Sequence, residues 1–146
     1  MGSAAEPCPD PGYARLLADS FARLTGRDLG DPWTRPDPIV SHGTEADPIF
    51  RWANPAALAL WDMDWNSFTR LPSRHSAADT PEIQADRSRL LAEARTKGFV
   101  TSYRGIRVSA TGRRFAIDDT VLWTVRDADG VIHGQAALIC RVEWLD

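Results

Sequence analysis

Cysteine is almost missing: Cys8 and Cys140 are the only two in 146 residues. One lies in a proline-rich start and the other in an apolar strand pattern, so neither a disulfide framework nor a cysteine metal site is available. Both read as reduced thiols. A basic excess is missing too, with 17 Lys and Arg against 20 Asp and Glu, a net charge of −3 and a pI near 5.6. No whole-domain positive field exists to hold a polyanion, which argues against nucleic acid as a partner. No apolar run approaches the roughly 18 residues of a membrane span, and no cationic start leads into one. A cytoplasmic protein with no membrane association is expected. A glycine-rich phosphate loop, a nucleophile elbow and a Cys/His dyad are all lacking. No catalytic constellation is recognised, so the chain does not read as an enzyme.

What is present is an ordinary globular composition, 43% hydrophobic and 25% charged, in a chain long enough to bury one core. Asp10, Pro11 and Gly26 bracket a helix. Its apolar stripe is Tyr13, Leu16, Leu17, Phe21 and Leu24, the spacing of a helix with one buried face. Residues 28–38, "DLGDPWTRPDP", form a stiff connector because proline fixes φ and removes donors. Short strands at 39–42 and 49–53 flank a hairpin loop. Asn54 and Pro55 then start a short helix with Ala57, Leu60 and Trp61 inward, and Asp64 caps one more turn. Thr80 and Pro81 open a longer helix whose buried face is Ile83, Leu90, Leu91 and Ala94, ended by Gly98.

Past Gly98 the period changes from 3.6 to 2, and three strands follow, joined by "SATG" and "RDADG" turns. In the first, apolar parity runs through Phe99 and Tyr103 and then switches to Ile106 and Val108, with Gly105 at the switch as a candidate bulge. The second alternates through Phe115, Ile117, Val121, Trp123 and Val125, which puts Asp119 on the apolar face. A pair with Arg107 or Arg114, or a bulge at Asp118 and Asp119, would relieve it. The third carries Gly134, Ala136, Leu138 and Cys140 on one face and Ala137 and Ile139 on the other, so it is central and covered on both sides. The order gives an α+β fold.

The stretches "VSHGTEADPIFRWANPAALALWDMDW", "FTRLPSRHSA", "GFVTSYRGIRVSATGRRFAIDD" and "VIHGQAA" together resemble the MEKHLA-domain family, bacterial stand-alone type, a PAS-like group. The resemblance implies a five-stranded antiparallel sheet of order B-A-I-H-G, lettering the strands A, B, G, H and I along the chain. It also implies middle helices on one sheet face and a sensory or interaction role without known catalysis. The expected division is 1–38 for the N-terminal amphipathic helix and connector and 39–146 for the PAS-like domain.

On that fold, Trp52, Trp61 and Trp65 wall or fill the space under the middle helices, and Gly134 and Ala136 face the same space. With Asp119 they form the candidate ligand pocket. Core filling is the simpler account of the tryptophans, each burying on the order of 200 Å². No cofactor is expected. A haem ligand at His75 would sit among polar flanks rather than in an apolar pocket. Photoactive flavin domains of this type place a cysteine on the middle helices, which this chain lacks, so covalent flavin photochemistry is excluded; non-covalent flavin stays open without a supporting feature, and neither haem nor flavin is expected. His42 and His133 fall on neighbouring strands, but no third metal ligand accompanies them.

Arg104, Arg107, Arg113 and Arg114 share one hairpin and could grip an anion; a solvated strand face is the plainer account. The expected partners are a small apolar or aromatic ligand and a second copy of the chain or a partner protein. In that dimer the first helix crosses the outer sheet face. Two alternatives stand: a cone-shaped α+β enzyme pairing Asp119 with His42 or His133, and a purely structural dimerisation domain.

Overall fold

Each helix starts where a side chain can satisfy the free N–H groups of its first turn. The structure, a computed structural model, describes residues 7–145. Asp10 accepts from the Tyr13 N–H, and α1 (Pro11–Thr25) runs from there to a left-handed Gly26. Asn54 caps α2 (Pro55–Trp61), Asp64 caps α3 (Trp65–Phe68), and Thr80 caps α4 (Pro81–Lys97). A 3-10 turn, Ser73–Ser76, lies between α3 and α4.

The strands are β1 (Ile39–His42), β2 (Phe50–Ala53), β3 (Phe99–Val108), β4 (Arg114–Arg126) and β5 (Ile132–Trp144). They form one antiparallel sheet in the order β2-β1-β5-β4-β3. This is the expected B-A-I-H-G order.

Two hydrophobic cores lie on opposite faces of that sheet. On the inner face, Ala57, Trp61, Phe68, Leu90 and Ala94 of the middle helices pack on Val40, Phe115, Ile117, Leu122, Ala137 and Ile139. On the outer face, Tyr13, Leu17 and Phe21 of α1, with Leu29 and Trp33 of the connector, cover Ile39, Trp52, Val121, Trp123, Ala136 and Leu138. The Trp123 indole donates to Ser20 Oγ at 3.0 Å, and Phe21 meets the Trp123 ring edge-on at 4.9 Å. The N-terminal helix therefore covers the outer face of its own sheet.

Asn54 ties the connector to this frame. It is fully buried; its Oδ1 accepts from the N–H groups of Ile39 and Ala57, and its Nδ2 donates to the carbonyls of Pro32 and Asp37, at 2.9–3.0 Å. One side chain thus caps α2 and fixes where residues 32–39 run.

Three expected face assignments are corrected. Gly134 and Ala136 belong to the outer face under α1, while Ala137 and Ile139 face the middle helices. Alternation separates the two sets but does not say which helix covers which. Trp52 lies on the outer face because the β1–β2 register shifts between Ser41 and His42, leaving Phe50 inside and Trp52 outside. Asp119 is exposed rather than in the pocket: at φ +47 it sits where β4 changes parity between Ile117 on the inner face and Val121 on the outer, the outward turn that a bulge at Asp118 and Asp119 was expected to give. The β3 irregularities fall on either side of Tyr103, not at Gly105 alone. No helix among the described residues is long and apolar enough to cross a membrane.

Candidate functional site

The inner face is not filled throughout. A cavity of about 50 Å³ lies between the sheet and α2, α4 and the Ser73–Ser76 turn. Its apolar lining includes Val40, Phe50, Trp61, Leu122 and Ile139; its polar lining includes His42, Ser73, Arg87, Tyr103, Arg107 and Gln135. At roughly 30 Å³ per water, that volume takes one or two waters. The Ser73–Ser76 turn closes one side: Ser76 Oγ donates to the Ser73 carbonyl, the Trp61 indole reaches the Ser76 carbonyl at 3.4 Å, and Ala77 bridges to Arg107.

Two arginines meet here without a carboxylate. Arg107 is 7% exposed, an unusual depth for a guanidinium that has no acid beside it. It donates to the Tyr103 hydroxyl at 2.5 Å and to its neighbour's carbonyl, that of Ile106, at 2.8 Å. Gly105 makes the meeting possible: a Cβ there would stand 2.6 Å from the Tyr103 hydroxyl and 2.8 Å from Arg107 Nη1. Half-buried Arg87, from α4, donates to Ser73 Oγ. Burial, with the Arg107 charge next in weight, lowers its pKa to about 10, still well above neutrality. Among the described residues no carboxylate lies within ion-pair distance of either guanidinium.

His42 supplies an unused acceptor. Its Nδ1 lies 2.9 Å from the Gly43 carbonyl, which requires the proton on Nδ1 and leaves Nε2 with a lone pair. Nε2 is buried with no partner among the described residues. Burial lowers the His42 pKa, so the ring is neutral near pH 7. Beside it, Gln135 Nε2 donates to the Leu91 carbonyl at 2.9 Å and pins β5 to α4. The Gln135 carbonyl accepts from Ser41 Oγ, which also contacts the Tyr13 hydroxyl at 2.8 Å. Hydrogen bonds thus run from α1 to the rim of the cavity.

Of the six residues expected to line a pocket, Trp61 does from the inner face, and Ala136, whose packing is on the outer face, also borders the cavity. Trp52 and Trp65 instead make an edge-to-face cluster with Trp33, at centroid distances of 6.0–6.4 Å, on the outer side of the sheet. Gly134 packs under α1, and Asp119 is exposed. The acid–base pairing of Asp119 with His42 or His133 is not assembled, since His133 pairs with Asp127 at 2.9 Å beside the β4–β5 turn. Among the described residues no group of three potential metal ligands forms.

Of the arginine hairpin, Arg107 alone lines the cavity. Arg104 pairs with Glu143, and Arg113 stacks on Trp144. Arg87 was not singled out from the sequence, yet a signal was there. It lies four residues after Ile83 and three before Leu90, a charge on the apolar stripe of α4.

The MEKHLA domain model matches residues 12–144. The chain belongs to the MEKHLA domain family. No curated protein matches it. Among solved structures, a PAS domain of a Colwellia psychrerythraea protein is similar over 78% of this chain and 90% of its own, at 12% identity and a TM-score of 0.62. The light-state dimer of the fungal blue-light photoreceptor Vivid is similar over 97% and 99%, at 15% and 0.65. A light-oxygen-voltage domain studied through a flavin analogue is similar over 75% and 78%, at 13% and 0.58. At these identities the likeness is one of fold: this MEKHLA domain has a PAS fold.

That likeness corrects the expectation against flavin. The fold is shared with light-oxygen-voltage domains, and one of these is described by its flavin chemistry. A missing mid-chain cysteine bears on a covalent bond to the ring and not on binding it. In the present packing the cavity holds about 50 Å³, and a three-ring cofactor would require its side chains to swing aside.

Proposed function

We propose that this MEKHLA domain is a sensory module whose sensing site is the inner-face cavity, and that occupancy is read out through association with a second chain. The observation that carries the reading is a cavity lined by polar groups with unused capacity: among the described residues His42 Nε2 has no partner, and Arg87 and Arg107 have no carboxylate within ion-pair distance. Unsatisfied polar groups and unpaired charges are costly to bury; the outer core also holds one unpartnered N–H, that of Trp52, among the described residues, but no arginine lies among its buried residues. The site borders α4 and the Ser73–Ser76 turn, so a ligand that pulls on Arg87 also pulls on Ser73.

Association as the readout finds support in Vivid, a protein of like fold that forms a light-state dimer. Apolar side chains remain exposed at both ends of β5, Ile132 beside Val131 at one and Trp144 beside Leu145 at the other. Native mass spectrometry with light scattering on freshly purified protein tests the reading. The expected result is a noncovalently bound small molecule, with a change in oligomeric mass when it is removed. Protein that carries nothing, and whose melting and mass respond to no metabolite extract, contradicts it.

A further inference from the structure

We infer that the cavity binds a short-chain carboxylate, its anionic end held by Arg87 and Arg107 and its apolar end among Val40, Phe50 and Leu122. The inference rests on the sensory reading of the same cavity and names the class of ligand. Two cations lie close enough for the Arg107 charge to act on Arg87, and among the described residues neither has an acid partner. Removing a charge from water without a counter-charge is among the least favourable events in folding. Such a pair persists where an anion completes it.

A guanidinium matches a carboxylate because its parallel N–H groups meet two oxygens at once. Arg107 is prepared for that geometry. Its Nη2 is anchored on Tyr103, its Nη1 on the Ile106 carbonyl, and Gly105 leaves both side chains room to lie along the strand. The Tyr103 hydroxyl has accepted from Arg107, so its own proton is free to donate to a ligand oxygen.

Volume and lining set the rest of the class. About 50 Å³ is the share of one or two waters, so only the smallest carboxylates, such as acetate or propionate, come near it. The remaining lining is mainly apolar, which favours a methyl or ethyl end over a second charged one. Phosphate and sulfate lack that end. The neutral His42 ring adds an acceptor at Nε2, suited to a hydroxyl on the ligand and not to its carboxylate.

The test is calorimetric titration and thermal melting of the full chain with sodium propionate, propionamide and sodium chloride, at matched ionic strength. Propionate should bind saturably at one site per chain and raise Tm, while chloride and the isosteric neutral amide should not. Arg87→Met and Arg107→Met should each weaken propionate binding by about tenfold or more. Arg113→Met, which loses the same charge on the exposed Trp144 stack, should leave it unchanged.

If an arginine variant fails to fold, Gly105→Ala serves instead; it crowds Arg107 and Tyr103 without removing a charge, and it should also weaken binding. Equal binding of propionamide, abolished by the cavity-filling Ala137→Leu, would overturn the carboxylate inference and leave the sensing cavity standing. Binding of neither compound, with Ala137→Leu raising Tm, would mark the cavity as a packing defect and overturn both.

Discussion

The two faces of the sheet bury comparable sets of side chains for different ends. Under α1 the interface is apolar and aromatic: Leu17, Phe21, Trp52 and Trp123 are each at most 1% exposed; the Trp123 indole has its partner in Ser20, while the Trp52 indole N–H has none among the described residues. Under α4 the core surrounds a hole lined by two cations and a histidine. Large aromatic groups packed at interior density give the most stability per residue, whereas buried unpaired charge subtracts from it. A protein that needed only to fold would have no reason to treat its faces so differently. The outer face reads as scaffold and the inner face as site.

Mutations sharpen that contrast, beginning with the largest effect. Trp123→Ala removes the centre of the outer core and should cost about 3–5 kcal/mol, read as a fall in the urea midpoint. A loss under about 1 kcal/mol would show that α1 is not an integral cover. Gly134→Ala comes next. A Cβ at Gly134 would stand 1.9 Å from the His42 carbonyl oxygen, so β1 must move, at an expected cost of about 1–3 kcal/mol. The same denaturation measurement checks it, and wild-type stability would show that β1 yields freely there.

The smallest effect concerns pH. Burial sets the His42 pKa below its ordinary value of 6.5, so the unfolded chain takes up a proton there before the folded one does. The stability this contributes is complete above about pH 6.5 and is lost as pH falls through the folded pKa. His42→Gln should therefore flatten the decline of Tm between pH 6.5 and 5 relative to wild type. Parallel curves would show that His42 is not the buried neutral ring described here.

The same contrast explains what the sequence made legible. The outer helix was readable because its signals are local: Asp10, Pro11 and Gly26 at the ends, and a stripe from Tyr13 to Leu24. Sheet order came with the family resemblance. Which face each strand residue takes was harder, because parity depends on partners distant in the chain. One register shift beside His42 moved Trp52 outward, and the change of parity at Asp119 turned a presumed pocket acid into solvent. Gly134 was noticed as small, but the reason, the nearness of the β1 backbone, is tertiary.

The site itself was half visible. Arg107 was seen as one of four hairpin arginines, and only the fold separates it from Arg104 and Arg113. Arg87 was legible as a charge on an apolar helical stripe, though such a position more often marks a solvated edge. The expectation against flavin was wrong because the missing cysteine speaks only to covalent photochemistry, and no residue pattern in the sequence marks non-covalent binding, which the shared fold with light-oxygen-voltage domains raises.

The most direct test of the division between scaffold and site is a propionate titration followed by two-dimensional NMR of 15N-labelled protein. The expected result is saturable shifts of the Arg87 and Arg107 side-chain N–H signals and of the Tyr103, Gln135 and Ala137 amides, with the Leu17 and Phe21 amides unmoved. Shifts confined to α1, or no saturable shift on the inner face, would contradict it.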